Sequence, residues 1–331
     1  MTESPSDPRF PAARPVAGTG LYKAHGLGND YLVVERGRDW ILTPEAVAAV
    51  CHRTRGAGSD GILWVDPGTT PFLLRGFNPD GSEFERSGNG LRILGSHLHR
   101  TGRVGDEPFQ VTVGGETVGM RVRGAQGNRF DVEVEMGRAR LGAGAVALDP
   151  AGLRPARGGK EARPHQVALE TGSGVASLVP VSVGNPHAVV WGSPGPWSWR
   201  ALDEPGAVAA LERWGPALSG HGGFASGTNV QVARVETPTR ILALVWERGV
   251  GRTSASGTSA CAVAVSAVAS GRVPPGSIEV VMEGGTLQVA VTPSLEVRLR
   301  GPVEAVWTGD MEPGLVPREA RTAIGAEPDA G

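Results

Sequence analysis

The sequence is poor in cysteine, in aromatic residues and in long apolar runs. Its 331 residues include 2 cysteines, and Phe, Trp and Tyr together make up 5%. Two cysteines without a CxxC pair or a Cys/His cluster exclude a disulfide scaffold and a zinc site of the usual spacing. No apolar run approaches the roughly 20 residues that cross a bilayer, and the polar residues 1–15 lack the apolar core of a signal peptide. The sequence therefore predicts a cytoplasmic protein without a metal.

An excess of charge of one sign is also missing. The 32 lysines and arginines nearly balance the 34 aspartates and glutamates, which leaves a formal net charge of -2. The basic residues are scattered along the chain and form no block that would follow a phosphate backbone. This distribution argues against nucleic acid and against a membrane surface as partners.

Glycine and proline are abundant instead, with 50 and 26 residues. They separate short runs of β-branched and apolar residues, which predict strands joined by tight turns. Two segments that follow glycine-rich turns, 91–100 and 260–269, are predicted helices. The second consists almost wholly of small and apolar residues, which predicts burial on every face. The predicted strands cover residues 31–34, 61–65, 72–74, 111–113, 132–134, 188–191, 241–245 and 278–281.

One αβ unit occurs twice. In each half a strand leads through a charged turn to a serine loop, then to a helix and a glycine-glycine hairpin. The first serine loop is SGNG at 87–90, and the second serine loop is SGTS at 256–259. The first hairpin glycine follows its serine by 27 residues in one half (Ser87 to Gly114) and by 28 in the other (Ser256 to Gly284). The matched order and spacing predict an internal duplication.

The duplication sets the predicted domain boundaries. Polar, Pro/Gly/Ala-rich segments without periodicity are expected to be solvated tails, and a Gly/Pro/Ala-rich stretch between the halves is expected to be a linker or insertion. The predicted organisation is a tail at 1–19, an N-terminal lobe at 20–140, a linker or insertion at 141–174, a C-terminal lobe at 175–300, a final strand at 301–311 that returns to the N-terminal lobe, and a tail at 312–331.

The two serine loops suggest a chemistry. A glycine-rich turn that enters a helix exposes backbone N–H groups and the positive end of the helix dipole, both of which bind anions. Two such turns that face each other would hold one carboxylate, with Ser87 and Ser256 on opposite faces of the carbon that carries it. The alternative is that each serine is an N-cap, which is a common position for serine.

Further motifs in the same order as the loops resemble the diaminopimelate epimerase family. The resemblance covers nearly the whole ordered length and implies an α+β fold of two pseudo-symmetric lobes, each a mostly antiparallel sheet or barrel around a central helix. It also implies a homodimer, no cofactor, and an amino-acid substrate buried between the lobes. The motifs are KAHGLGNDY at 23–31, GAGSDG at 56–61, NPDGSE at 78–83, the first serine loop, GNPH at 184–187, Asn229, ERGVG at 247–251, and SGTSAC at 256–261.

The resemblance also implies the site residues. Ser87 and Ser256 occupy the catalytic acid/base positions. The substrate's two ends are held by the loop backbone and by a second group of side chains, and an anion, a cation and several amides suit an amino-acid head group. The alternative is a surface ion pair and turn-forming asparagines. The α-carboxylate is expected at Gly88, Asn89, Gly257 and Thr258, and the distal head at Asn29, Asn78, Asn185, Asn229, Glu247 and Arg248.

The chain departs from the family at both acid/base positions, because the family has cysteine where Ser87 and Ser256 stand. A thiol has a pKa of about 8.5, whereas a serine hydroxyl is a far weaker acid and needs a partner to act as a base. Cys261 is expected to be a small buried residue. Smaller departures are two cations, Arg86 and Arg252, and Ser259 in place of a glycine. The two cations are expected to be solvated surface charges, and the alternative is that they lower the pKa of a neighbouring group or bind an additional anion.

Three functions follow from these residues. The first is an isomerase of lysine and peptidoglycan precursor synthesis, which epimerises LL- to meso-diaminopimelate through the two serines, assisted by His25 or His187. The second is a dehydratase or isomerase of the same fold that uses serine at these positions. The third is a non-catalytic amino-acid-binding paralogue. The retained distal-head residues favour a diaminopimelate-like ligand in the first and third.

Overall fold

A computed structural model describes residues 20–36, 42–84, 86–155, 163–191, 202–312 and 315. The chain divides into two compact units, one of Met1–Val134 with Pro302–Gly331 and the other of Glu135–Gly301. The predicted tails at 1–19 and 312–331 lie outside the described residues, apart from 312 and 315, and so do residues 156–162 of the predicted linker.

The first unit is a mostly antiparallel sheet with two helices. Parallel pairing occurs between β2 and β3 and between β4 and β6, and the other neighbouring strands pair antiparallel. Its elements are β1 (Leu21–Gly26), β2 (Asn29–Glu35), α1 (Pro44–Cys51), β3 (Ile62–Asp66), β4 (Phe72–Phe77), β5 (Glu83–Phe84), α2 (Gly88–Arg100), β6 (Phe109–Val113), β7 (Glu116–Gln126) and β8 (Arg129–Arg138), the last of which continues into the second unit.

The second unit repeats this plan after a short insertion with two 3-10 turns, Ala143–Val146 and Pro150–Gly152. Strand β19 begins here and returns to the first unit at Pro302. The elements are β9 (Arg140–Leu141), β10 (Leu153–Pro155), β11 (Val167–Thr171), β12 (Gly174–Ser182), β13 (Pro186–Trp191), α3 (Pro205–Ser219), β14 (Asn229–Thr237), β15 (Arg240–Glu247), β16 (Gly251–Thr253), α4 (Gly257–Ala269), β17 (Gly276–Met282), β18 (Gly285–Val291) and β19 (Glu296–Gly309).

Strand pairing confirms the predicted duplication. Strand β4 pairs antiparallel with β5 and parallel with β6, and β15 pairs in the same two ways with β16 and β17. The parallel β2–β3 pair of the first unit corresponds to the parallel β13–β14 pair of the second. The α+β fold with a mostly antiparallel sheet around a central helix in each half is therefore confirmed.

The two central helices, α2 and α4, are buried along most of their length. Every residue from Gly257 to Ala267 of α4 is buried, as its composition predicted. In α2 the burial extends from Gly88 to Leu98 and includes Arg92, which is 1% exposed. Each serine loop is therefore attached to an element that the core holds in place.

Helices α1 and α3 were not predicted. Helix α1 carries local start signals, because Thr43 Oγ1 accepts a hydrogen bond from Ala46 N (3.2 Å) and Pro44 occupies the first turn. Helix α3 contains Pro216, which normally disfavours a helix interior. Its apolar face packs into the core of the second unit, so tertiary burial outweighs the local cost.

Candidate functional site

Ser87 caps helix α2 of the first unit. Its backbone is extended, and its Oγ accepts a hydrogen bond from Gly90 N at 3.0 Å. A Cβ on Gly90 would lie 2.9 Å from Leu63 Cδ2, so a larger residue there would displace that buried leucine. The side chain of Ser87 is half-buried, and the first-turn amides of Gly88 and Asn89 belong to the set that has no intrahelical acceptor. The loop can therefore present a hydroxyl and N–H donors together.

The Asn89 side chain is fixed on both sides. Its Nδ2 donates to Asn29 Oδ1 (2.7 Å) and to the Asn29 carbonyl (2.8 Å), and its Oδ1 accepts from Arg92 Nη2 (3.0 Å). A Cβ on Gly26 would lie 1.9 Å from Asn89 Oδ1, which explains the glycine. Two residues predicted to bind the substrate, Asn29 and Asn89, are thus in direct contact.

An ion-pair network supports Asn29. Asn29 Nδ2 donates to Asp60 Oδ2 at 2.7 Å, and Arg53 Nη2 lies 2.6 Å from Asp60 Oδ1. Arg53 also binds both carboxylate oxygens of Asp30, which Lys23 Nζ approaches to 2.9 Å. Burial raises the pKa of Asp30, but the hydrogen bonds from Arg53 and Lys23 outweigh it and hold that pKa below its ordinary value. These ion pairs fix the position of the Asp60 carboxylate, which in turn accepts the hydrogen bond from Asn29 Nδ2.

Asn78 forms the turn between β4 and β5. Its Nδ2 donates to Ser82 Oγ (3.0 Å), and its backbone N donates to the Ser82 carbonyl (2.8 Å). The turn-forming role is therefore observed at this position, and its predicted substrate contact stays a prediction.

Ser256 occupies the equivalent position at the start of α4 in the second unit, with a difference. Its backbone is extended and its carbonyl accepts from Ala260 N (3.0 Å), but its side chain makes no capping hydrogen bond. The residue is half-buried, like Ser87. The two serines are therefore inequivalent, because only the Ser87 oxygen accepts a backbone N–H.

A buried polar network lies beside the second serine loop. Asn185 Nδ2 lies 3.4 Å from Thr258 Oγ1, a long contact, and Asn185 Oδ1 lies 2.8 Å from His187 Nε2. The other ring nitrogen, Nδ1, lies 3.0 Å from Gln231 Nε2, which also lies 3.0 Å from Ser259 Oγ. The pair Asn185–Thr258 corresponds to Asn29–Asn89, since in each unit an asparagine contacts the second residue of the central helix.

Asn229 and Arg248 form a third pair of predicted site residues in contact. Asn229 is buried and its Oδ1 accepts from Arg248 N at 2.9 Å. The exposed Arg248 guanidinium donates to the Ser226 carbonyl, and the half-buried Glu247 ends β15. The position of the Glu247-Arg248 turn is thus fixed by a buried amide.

Arg86, Arg252 and Cys261, which lie near the two serine loops in the sequence, have defined environments. Arg252 pairs with Glu283 through two hydrogen bonds of 3.1 and 2.6 Å, and Arg86 lies 3.4 Å from Glu116. The expectation of a solvated cation is wrong for Arg86, whose side chain is 12% exposed. The burial predicted for Cys261 is confirmed.

The two candidate helper histidines differ. His25 is half-buried and its Nδ1 accepts a weak 3.4 Å contact from Gly28 N. His187 is fully buried with both ring nitrogens hydrogen-bonded. Burial lowers the pKa of His187 to about 3, and the Arg248 charge adds to this shift. Such a ring is neutral and is a poor proton carrier.

Sequence reasoning missed Arg53, Asp60 and Gln231. Asp60 lies in a motif of the family resemblance, and its position in the glycine-rich segment 56–61 was the available signal. Gln231 had no signal, because one polar residue in a strand usually faces solvent. Within the described residues, no group of three or more His, Cys, Asp or Glu side chains is arranged to hold a metal. None of the helices described is long and apolar enough to span a membrane.

Comparison with known sequences connects this geometry to one family. The family model for diaminopimelate epimerase matches residues 21–142 and 179–306. The diaminopimelate epimerase of Desulforudis audaxviator is 37% identical over 295 residues, which cover 87% of this chain and 97% of that protein. Diaminopimelate epimerase 2 of a Nostoc species is 33% identical over 294 residues, with 88% and 95% covered. The enzyme of a Synechococcus strain is 36% identical over 299 residues, with 87% and 96% covered.

Solved structures share the fold at lower identity. A predicted epimerase from Pseudomonas aeruginosa aligns with a TM-score of 0.58 at 20% identity and covers 88% of this chain and 99% of that one. A probable proline racemase from Agrobacterium radiobacter gives 0.62 at 15%, with 88% and 92% covered. A hydroxyproline epimerase from Agrobacterium vitis gives 0.58 at 16%, with 92% and 96% covered.

Proposed function

This chain belongs to the diaminopimelate epimerase family, and we propose that it is an isomerase that converts LL-diaminopimelate to meso-diaminopimelate. The reaction inverts one α-carbon by removal of a proton from one face and delivery of a proton to the other, and needs no cofactor. One observation carries the proposal: each unit presents a half-buried serine at the start of its buried central helix, beside an asparagine that contacts the first helical turn.

In this proposal Ser87 and Ser256 are the acid and base. The Ser87 oxygen accepts a hydrogen bond from Gly90 N, which stabilises negative charge on that oxygen, whereas Ser256 lacks this bond. An alkoxide is therefore better supported at Ser87. The low acidity of a hydroxyl makes turnover slower than a cysteine pair would allow.

The remaining residues bind the two ends of the substrate. The backbone amides of the loops hold the α-carboxylate at the positive ends of α2 and α4. The exposed Arg248 is suited to the distal carboxylate, and Glu247 to the distal ammonium. The residues proposed to bind the α-carboxylate are Gly88, Asn89, Gly257 and Thr258, and those proposed to bind the distal head are Asn29, Asn78, Asn185, Asn229, Glu247 and Arg248.

We further propose that the enzyme is a cytoplasmic homodimer and serves lysine and peptidoglycan precursor synthesis. The support is family membership, since the relatives named diaminopimelate epimerase match over nearly their whole length. Sedimentation of the purified full chain measures the oligomeric state directly, and a monomer at micromolar concentration contradicts the dimer.

The test is deuterium incorporation. Purified protein is incubated with LL-diaminopimelate in D2O, and deuterium at Cα and the stereoisomers formed are measured by mass spectrometry and chiral chromatography. The proposal predicts meso-diaminopimelate that carries deuterium. Tight calorimetric binding without exchange would instead support an amino-acid-binding paralogue, and loss of water or double-bond migration in another substrate would support a dehydratase or isomerase.

A further inference from the structure

The network around His187 begins and ends on helix α4. Thr258 and Ser259 are consecutive residues of its first turn, and they connect through Asn185 and Gln231 to the two nitrogens of the same imidazole. His187, Gln231 and Ser259 are all fully buried. Water does not compete for these buried atoms. The choice of donor and acceptor in one hydrogen bond therefore determines the choice in the next.

The donors can be assigned from the Gln231 amide. Gln231 Nε2 has two partners at 3.0 Å, and its buried Oε1 has no hydrogen-bond partner among the described residues. In the opposite amide orientation, Oε1 would take both contacts and two N–H groups would be buried without acceptors. A buried N–H without a partner is rarer than an under-used carbonyl oxygen, so Gln231 donates to both His187 and Ser259.

This assignment fixes the histidine tautomer. Because His187 Nδ1 accepts from Gln231, the ring proton lies on Nε2 and donates to Asn185 Oδ1. That bond turns the Asn185 amide so that its Nδ2 faces Thr258 Oγ1. The Thr258 oxygen then acts as an acceptor, and its own proton is available to another group at the second serine loop.

We infer that Gln231 and Ser259 are positioning residues that act through His187 to hold the Asn185 amide and the Thr258 hydroxyl in one hydrogen-bonding orientation. The Ser259 hydroxyl is part of this role because it accepts the second hydrogen bond of the Gln231 amide. The role toward substrate rests on the proposed function, whereas the orientation itself is a property of the chain without substrate.

The test uses nitrogen-15 NMR of the imidazoles in the full-length protein without substrate. The His187 signals are identified by their loss in His187→Gln. The expected result is a protonated Nε2 and an unprotonated Nδ1 throughout the range in which an ordinary histidine titrates. An Nδ1–H tautomer, or ordinary titration, would overturn the inference.

Gln231→Glu reverses the direction of the hydrogen bond between residue 231 and His187 Nδ1. The carboxylate can only accept, so His187 Nδ1 gains a proton and both ring nitrogens become protonated at neutral pH. Gln110→Glu, at an exposed position of β6, is the matched control and leaves the His187 signals unchanged. Unchanged His187 signals in Gln231→Glu would contradict the inference.

Ser259→Ala is the second variant and carries the test if Gln231→Glu does not fold. Loss of the hydroxyl removes one reason for the Gln231 orientation, so a second set of His187 signals with Nδ1 protonated is expected. The KM for substrate rises about tenfold, which corresponds to one hydrogen bond of about 1.4 kcal/mol, with a smaller change in kcat. Ser254→Ala, at an exposed position, is the control.

The two proposals fail separately. Wild-type protein with the expected His187 tautomer but no epimerisation contradicts the proposed function alone. Epimerisation by a protein in which His187 carries its proton on Nδ1 contradicts the positioning role alone. A Ser259→Ala variant with wild-type His187 signals and unchanged KM also contradicts it.

Discussion

Asn89 Nδ2 lies 2.7 Å from Asn29 Oδ1, and this bond joins the first serine loop to the β1–β2 turn. The remaining atom of each amide also has a partner: Asn29 Nδ2 donates to Asp60, and Asn89 Oδ1 accepts from Arg92. Both amide orientations are therefore determined. Within the first unit, the loop geometry therefore depends on residues that do not belong to the loop.

Gly26→Ala tests this dependence. The new Cβ would overlap Asn89 Oδ1 at 1.9 Å, and Asn89 cannot move away without loss of its bonds to Asn29 and Arg92. The expected destabilisation is about 1–3 kcal/mol, together with a loss of activity. Chemical denaturation measures the change. Gly105→Ala, where a Cβ meets nothing within 4 Å, is the control, and equal effects of the two variants would contradict the steric explanation.

Asp60→Asn tests the support of Asn29. The variant removes the negative charge that binds Arg53 and weakens the bond to Asn29 Nδ2. A hydrogen bond to a charged group contributes about 1.5–3 kcal/mol, so KM is expected to rise about tenfold or more, with a smaller effect on kcat. Steady-state kinetics measure the KM of Asp60→Asn and of the control variant Asp310→Asn, which changes an exposed aspartate. An unchanged KM would show that Asn29 holds its position without Asp60.

The two serines are predicted to differ in their contributions to stability. Ser87→Ala removes a capping bond to Gly90 N and costs about 1 kcal/mol, whereas Ser256→Ala removes no such bond and stays within about 0.5 kcal/mol of wild type. Both variants lose epimerase activity. Thermal or urea unfolding of the two variants gives the comparison, and an equal loss of stability would contradict the inequivalence.

Glu35 is predicted to make stability depend on pH. Hydrogen bonds from His97 (2.9 Å) and Arg103 (2.8 Å) outweigh burial and lower its pKa from 4.5 to about 2. Because the folded state has the lower pKa, this contribution is complete above pH 4.5 and is lost as the pH falls toward 2. The side chain is 10% exposed, so the contribution is about 3 kcal/mol at most.

The comparison of wild type with Glu35→Gln isolates this group. The stability difference between the two is expected to be largest at neutral pH and to shrink as the pH falls below 4.5. Glu296→Gln, at an exposed strand end, controls for the general loss of a carboxylate. A difference that stays constant with pH would contradict the lowered pKa of Glu35.

The sequence was sufficient to predict the parts of the fold that local patterns determine. The glycine-rich turns, the two buried helices and the duplicated strand order follow from residue type and spacing. Helix α3 could not be predicted in this way, because Pro216 and Gly215 lower its local propensity and its stability comes from packing. The Cβ that Gly215 lacks would lie 2.6 Å from the Trp246 ring, a close approach that no local pattern reveals.

The same limit applies to the candidate site. Ser87 and Ser256 could be recognised because each belongs to a repeated motif. Gln231 could not, since its environment depends on α3 and α4, which both pack against β14 and bury residues on both of its faces. Arg53 and Asp60 form their network with Asp30 only after α1 and the following loop bring them to the β1–β2 turn.

The most direct test of the central claim replaces both serines by cysteine. Rates of deuterium incorporation at Cα of LL-diaminopimelate are measured for wild type, Ser87→Cys, Ser256→Cys and the double variant. If the two loops form the acid/base pair of an otherwise intact epimerase site, the double variant is faster than wild type by orders of magnitude, and each single variant falls well below it. A double variant no faster than wild type, with substrate still bound, would contradict the assignment of Ser87 and Ser256 as that pair.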